Sequence, residues 1–196
     1  MSDSQTFGPA ATTPEEVLDA ALNGARKGEE AAFATLWRIH NSKLSRFVQV
    51  RLLNSSIDYE EVVSETWLNV ARDIRKFKGS SAEFTGWLYA IARNRIVDAT
   101  RIRDRQARSS QDIEEVFWLT SPTNVEKEFE ANETVNEAVN AIAQLPAAQS
   151  EVLLLRIVSD LSVEETALVV KKNANAVRVL SHRGLIALRE KLGGLA

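Results

Sequence analysis

The chain has 196 residues, is 44% hydrophobic and 26% charged, and carries a net charge of -3. That composition describes a folded globular protein of one large or two small domains and excludes a disordered chain. Cysteine is absent, which removes disulfides and thiolate chemistry together and fits a cytoplasmic location. No apolar run approaches the ~20 residues that cross a bilayer, and the opening MSDSQTFGPAATTPEEV lacks the basic and apolar parts of a signal peptide.

In chain order, nearly every segment reads as helix. In TPEEVLDAAL, Thr13 is the expected N-cap, Pro14 takes the first helical position and Glu16 completes a capping box. Phe33, Leu36, Trp37, Leu44, Phe47 and Val48 then recur at helical spacing, with His40 filling one step of the stripe. NSSID, residues 54–58, interrupts the pattern. A second amphipathic helix follows, with Val62, Val63, Trp67, Val70 and Ile74 inward. FKGSS, residues 77–81, is the next break, and a basic helix begins a few residues beyond it.

Within that helix Leu88, Ile91, Ala92, Ala99 and Ile102 share one arc and form the expected buried stripe. Arg95 falls in the same arc, so it must snorkel or meet a carboxylate. Asn94 and Asp98 stand one turn apart, as a hydrogen-bonding pair does. Arg93, Arg101 and Arg105 point elsewhere and can face phosphates. Phe77, Phe84, Trp87 and Tyr89 head this basic run. Aromatics beside cations fit single-strand binding, where bases stack on rings; the alternative for all four is burial in a core.

From about residue 106 periodicity weakens, and residues 107–133 read as an acidic linker. Extended, these 27 residues reach roughly 90 Å. Helix resumes near Thr134. Pro146 opens a helix with the apolar stretch 152–155, and Ser162 with Glu165 forms another capping box. Asn173 caps a last helix that stops at Gly193 and Gly194. Two helices across a short turn, the second basic, form a helix-turn-helix pattern. In it Ala176, Val177, Leu180, Ile186 and Ala187 face the core, while Arg178, Ser181, His182 and Arg183 face outward. Lys171 and Lys172 precede the turn, where they can hold phosphates.

The mean charge conceals an alternation. Residues 72–108 sum to +6, residues 109–151 to -8 and residues 171–196 to +5. Two basic segments on an acidic chain point to two polyanion contacts. Catalysis is disfavoured: the histidines, His40 and His182, form no metal-binding pair, and no phosphate-cradling loop or nucleophile elbow occurs. The reading is therefore no enzyme, no cofactor and no metal. The rival to a two-contact protein is a stand-alone helix-turn-helix regulator with a sensing or dimerising N-terminal half.

These residues resemble a known family. DYEEVVSETWLNV (58–70) and the run from Phe77 to Arg101, with its GWLYAIARNRIVD, are similar to region 2 of bacterial extracytoplasmic-function (ECF) sigma factors. QLPAAQSEVLLLR, LSVEETALVV and NAVRVLSHRGLIALREKL are similar to region 4. The resemblance implies an all-α chain of two small domains. Residues 1–25 would be an N-terminal extension, 26–106 region 2, 107–133 the linker and 134–196 region 4. It implies that the chain binds core RNA polymerase, at the β′ clamp helices and the β subunit, directs it to promoter DNA and promotes strand opening. An anti-sigma factor is a further implied partner, and no membrane is involved.

By the same resemblance Asp58, Glu61, Glu65 and Trp67 contact polymerase, Trp67 as an exposed aromatic. Phe77, Lys78, Ser80, Phe84, Trp87, Arg93, Asn94 and Arg101 take the minus-ten element. Lys171, Lys172, Asn175, Arg178, Ser181, His182 and Arg183 take the minus-thirty-five element. Two departures are visible: Ser64 stands where many relatives carry Gln, and the turn KKNANAV has no glycine, so an asparagine is expected to adopt the left-handed conformation.

Overall fold

A computed structural model describes residues 13–53, 55–110 and 133–193. Every regular element among the described residues is helical. Helix α1 (Pro14–Lys27) starts on the expected capping box: the Glu16 N–H donates to the Thr13 hydroxyl at 3.2 Å, and the Thr13 N–H donates to the Glu16 carboxylate at 2.7 Å. It ends at Gly28, whose φ of 89° suits a residue without a Cβ. Helix α2 (Glu30–Arg51) buries Leu36, His40, Leu44, Phe47 and Val48, most of the expected stripe. Trp37 departs from it and is exposed.

Helix α3 (Tyr59–Asp73) continues into a 3-10 turn, Ile74–Lys76. Helix α4 (Ser81–Ser110) is 30 residues long and starts at Ser81, earlier than the pattern indicated. The reason is a cap. The Glu83 N–H donates to the Ser80 hydroxyl at 3.3 Å, and the Ser80 N–H donates to the Glu83 carboxylate at 2.8 Å. At its far end α4 runs through residues 107–110, where the loss of periodicity predicts linker; residues 111–132 lie outside the described residues.

Helix α5 (Glu133–Ala143) precedes α6 (Ala147–Leu153), which opens after Pro146 and passes directly into a π-helical turn, Leu154–Val158. Helix α7 (Val163–Val170) has the expected Ser162–Glu165 capping box. Helix α8 (Ala174–Gly193) is capped as expected, with the Ala176 N–H donating to the Asn173 side chain at 2.7 Å. The turn between them corrects one expectation: Lys171, not an asparagine, is left-handed, at φ 56°.

Helices α1–α4 enclose one core, with Leu36, Leu44, Phe47, Val70, Phe84 and Leu88 fully buried; α5–α8 enclose another around Leu153, Leu154, Leu155, Leu161 and Val177. Gly184 lets α8 approach α6 closely, because a Cβ there lies 3.0 Å from Leu153 Cδ1. The two units also pack on each other, α7 against α4 and the π-helical turn against α2. Glu151 is 8% exposed at this junction. Its Oε1 lies 3.0 Å from Arg93 Nε and 3.7 Å from Arg51 Nη2. Lys43 pairs with Asp160 across the same boundary.

Candidate nucleic-acid interface

The break at residues 77–80 forms the rim of an open concavity of about 670 Å³. Phe77, Lys78, Gly79, Trp87, Asn94 and Arg95 line it, with Asn69 and Arg72 from the end of α3. Phe77 stacks on Trp87, centroids 4.8 Å apart with an interplanar angle of 24°. Phe84 meets Phe77 edge-on from below at 5.9 Å. A side chain at Gly79 would displace the Phe77 ring, since a Cβ there lies 2.5 Å from Phe77 Cζ.

Helix α4 presents three successive flanks, as a 100° step per residue dictates. Leu88, Ala92 and Ile96 enter the core. Trp87, Ile91 and Asn94 face the concavity. Tyr89 and Arg93 face the C-terminal unit. Tyr89 is buried edge-on to Phe47 at 5.3 Å, and burial pushes its hydroxyl pKa up, with Asp160 adding to the shift. Arg93 is committed to Glu151.

The expected minus-ten residues therefore divide. Phe77, Lys78, Trp87 and Asn94 come together, and Ser80 caps α4 at the rim. Phe84 is 0% exposed and supports the ring pair from within the core, so it cannot stack on a base. With the two units packed together, Arg93 is half-buried and paired with Glu151 of α6 instead of standing free for a phosphate. Arg101 is exposed farther along α4. Arg95 meets Asp98 at 2.7 Å, the carboxylate alternative expected for it; Asp98 thus pairs with Arg95 rather than Asn94. Ile102, expected in the buried stripe, is exposed.

On α8, Asn175, Arg178, His182 and Arg183 are exposed, as are Lys171 and Lys172 before it. Arg178 pairs with Glu164 of α7 at 3.1 Å, both groups well exposed. Ser181 departs from expectation: its hydroxyl is buried. Ile186 is exposed, and the core face is drawn by Val177, Gly184 and Leu188. On α3, Asp58 is the N-cap, accepting from the Glu60 N–H at 2.8 Å. Glu61 and Glu65 are exposed. Trp67 is not the exposed aromatic expected: it is 6% exposed, its Nε1 donates to Asn41 Oδ1 at 2.9 Å, and its ring lies edge-on to Phe33. The apolar side chain beside the two glutamates is instead Leu68. Helical phase carried that signal, since Val63, Trp67 and Val70 share an arc that Leu68 leaves by 100°.

Comparison with known proteins fits this geometry. Residues 36–108 match the family described as Sigma-70 region 2, and residues 136–188 match Sigma-70, region 4. The chain is 31% identical over 187 residues to the ECF RNA polymerase sigma factor BldN of Streptomyces coelicolor, covering 94% of this chain and 69% of that one. It is 28% identical to ECF RNA polymerase sigma factor SigD of Mycobacterium tuberculosis, covering 94% and 88%. The solved structure of CnrH with the cytosolic domain of CnrY has the same fold, at a TM-score of 0.64 and 20% identity, covering 92% of this chain and 99% of CnrH. A region 2 match in the N-terminal half removes the stand-alone regulator reading. The chain belongs to the ECF RNA polymerase sigma factors and acts in transcription initiation, directing RNA polymerase to promoters.

Proposed function

We propose that the concavity beside α4 receives an unpaired base of the minus-ten element, that α8 reads the minus-thirty-five element as duplex, and that the exposed face of α3 grips core polymerase. The observation that carries this reading is the stacked Phe77–Trp87 pair beside Lys78 and Asn94 at the head of an arginine-rich helix. A ring pair offers a stacking platform and the cations meet the backbone. Capturing a base that duplex DNA must release favours the opened state, because the protein binds one state and not the other. Arg178, His182 and Arg183 lie where a recognition helix meets base edges, and Lys171 and Lys172 where phosphates pass. Glu61, Glu65 and Leu68 form the acidic and apolar polymerase surface on α3. The chain performs no chemistry of its own in this reading, and it works in the cytoplasm, where polymerase and promoters are.

An anti-sigma factor is a further proposed partner. CnrH was solved with the cytosolic domain of CnrY, and RpoE of Bartonella quintana with the anti-sigma factor NepR. Leu168, Leu185 and Ile186 expose apolar surface on α7 and α8 that such a partner can cover.

The test is Trp87→Ala in a holoenzyme assembled on core polymerase, with fork-junction DNA from a promoter selected by that holoenzyme. Loss of one stacked base weakens fork binding by ~1–3 kcal/mol, while binding of the minus-thirty-five duplex is retained. Equal weakening on both DNAs makes Trp87 a structural residue and sinks the assignment.

A further inference from the structure

Helix α1 lies ahead of residues 36–108, the part matched to Sigma-70 region 2, yet it reaches the concavity through one side chain. Arg26, in the last turn of α1, donates from Nη2 to the Gly79 carbonyl. Its guanidinium carbon also lies 5.3 Å from the centroid of the Phe77 ring. Nη1 is steadied by the Asn23 side chain at 3.4 Å, and Nε is buried. Arg26 itself does not line the concavity.

We propose that Arg26 is a positioning residue for minus-ten recognition, holding the 77–79 backbone and the Phe77 ring in the shape that accepts an unpaired base. The inference rests on the base-capture reading above. A planar guanidinium engages a carbonyl and a ring face at once, whereas an ammonium is a point charge. The two contacts fix opposite requirements of one short loop. The carbonyl bond sets where the chain passes at Gly79, and the cation sets the tilt of Phe77 against Trp87. Gly79 leaves little slack, because a Cβ there would lie 2.5 Å from Phe77 Cζ and 3.1 Å from Glu83 Cβ. Without Arg26 the loop orders itself only when a base arrives, and that ordering cost is subtracted from binding. Discrimination among bases falls with it, because a loosened wall accepts a wrong base with less penalty.

The experiment compares holoenzymes carrying the wild-type chain, Arg26→Ala and Arg26→Lys. Each is equilibrated with a single-stranded DNA pool randomised across the minus-ten positions, and the bound fraction is sequenced. Affinities are then measured for the enriched strand, for the minus-thirty-five duplex and for core polymerase. The expected result is that Arg26→Ala binds the enriched strand roughly tenfold more weakly and flattens the base preference at the captured position. Core and duplex affinities stay unchanged, and Arg26→Lys falls between the two. Wild-type selectivity matched by Arg26→Ala overturns this inference alone. So does uniform weakening toward all three ligands, which a merely structural role gives. A wild-type holoenzyme that enriches no strand overturns the base-capture reading as well. Should Arg26→Ala fail to fold, Arg26→Lys decides: weakening confined to the single strand supports positioning, and wild-type behaviour refutes it.

Discussion

His40 shows what one buried side chain does to a stability profile. It occupies the apolar stripe of α2, its ring 5.5 Å from Phe84. Burial, and secondarily Lys43, lowers its pKa to about 4. The native state therefore holds it neutral while the unfolded chain protonates near 6.5. Above pH 6.5 this residue adds no pH dependence. As pH falls from 6.5 to 4 the unfolded state takes up a proton that the folded state refuses, so stability drops, by about 3 kcal/mol in all. Urea midpoints measured across that window are expected to fall with acidity in the wild type and much less in His40→Leu. At this scale the sequence was half legible. The apolar stripe marks His40 as buried and helical spacing turns Trp67 inward, whereas the family resemblance places Trp67 on a surface; for Phe84 the core alternative is the one that holds. The link from Arg26 to the concavity has no local signal, because Gly79 lies 53 positions away and Phe77 51.

Among elements, the capping residues were the most legible part of the chain, because a cap is a local bargain between one side chain and the N–H groups three positions on. Thr13, Ser162 and Asn173 all take the cap positions their spacing indicated. Asp58 separates two roles that sequence alone merged: it caps α3 and also sits at the end of the proposed polymerase surface. Asp58→Ala is expected to cost about 1 kcal/mol of stability. Asp58→Ser, which can still cap, restores it. If affinity for core polymerase stays low in Asp58→Ser while stability recovers, the carboxylate contacts polymerase directly; joint recovery makes it a cap only. The π-helical turn at Leu154–Val158 was not legible. Four consecutive apolar residues, 152–155, have no polar face to set a phase, so packing between the two units decides how the backbone winds. Lys171 was misjudged for a different reason. A non-glycine left-handed residue costs of order 1 kcal/mol; Asn173 is engaged as the cap of α8, so Lys171, the C-cap of α7, bears it.

For the whole molecule, the contact between the two halves was the least legible feature, since no local pattern announces that Glu151 will meet Arg93 and Arg51. Those pairs hold α6 against α4 and α2. Helix α8 packs on α6 and α7, and α7 packs on α4, whose head borders the concavity. Two or more duplex turns, at ~35 Å each, separate the elements that the two surfaces are proposed to read. The proposal that both surfaces work on one promoter implies that the halves part to engage both. Glu151→Gln removes one of the charges paired across the junction and is expected to enlarge the radius of gyration in solution scattering, with each half keeping its helicity. An unchanged radius would show that apolar packing alone keeps the chain closed. The junction also imposes a thermodynamic rule on the partners. Any ligand that prefers the parted form, whether polymerase or either DNA element, raises the affinity of each of the others for the chain by the factor it receives from them. If the halves part on engagement as proposed, the pairs of Glu151 with Arg93 and Arg51 couple the ligands, although no two of them need touch.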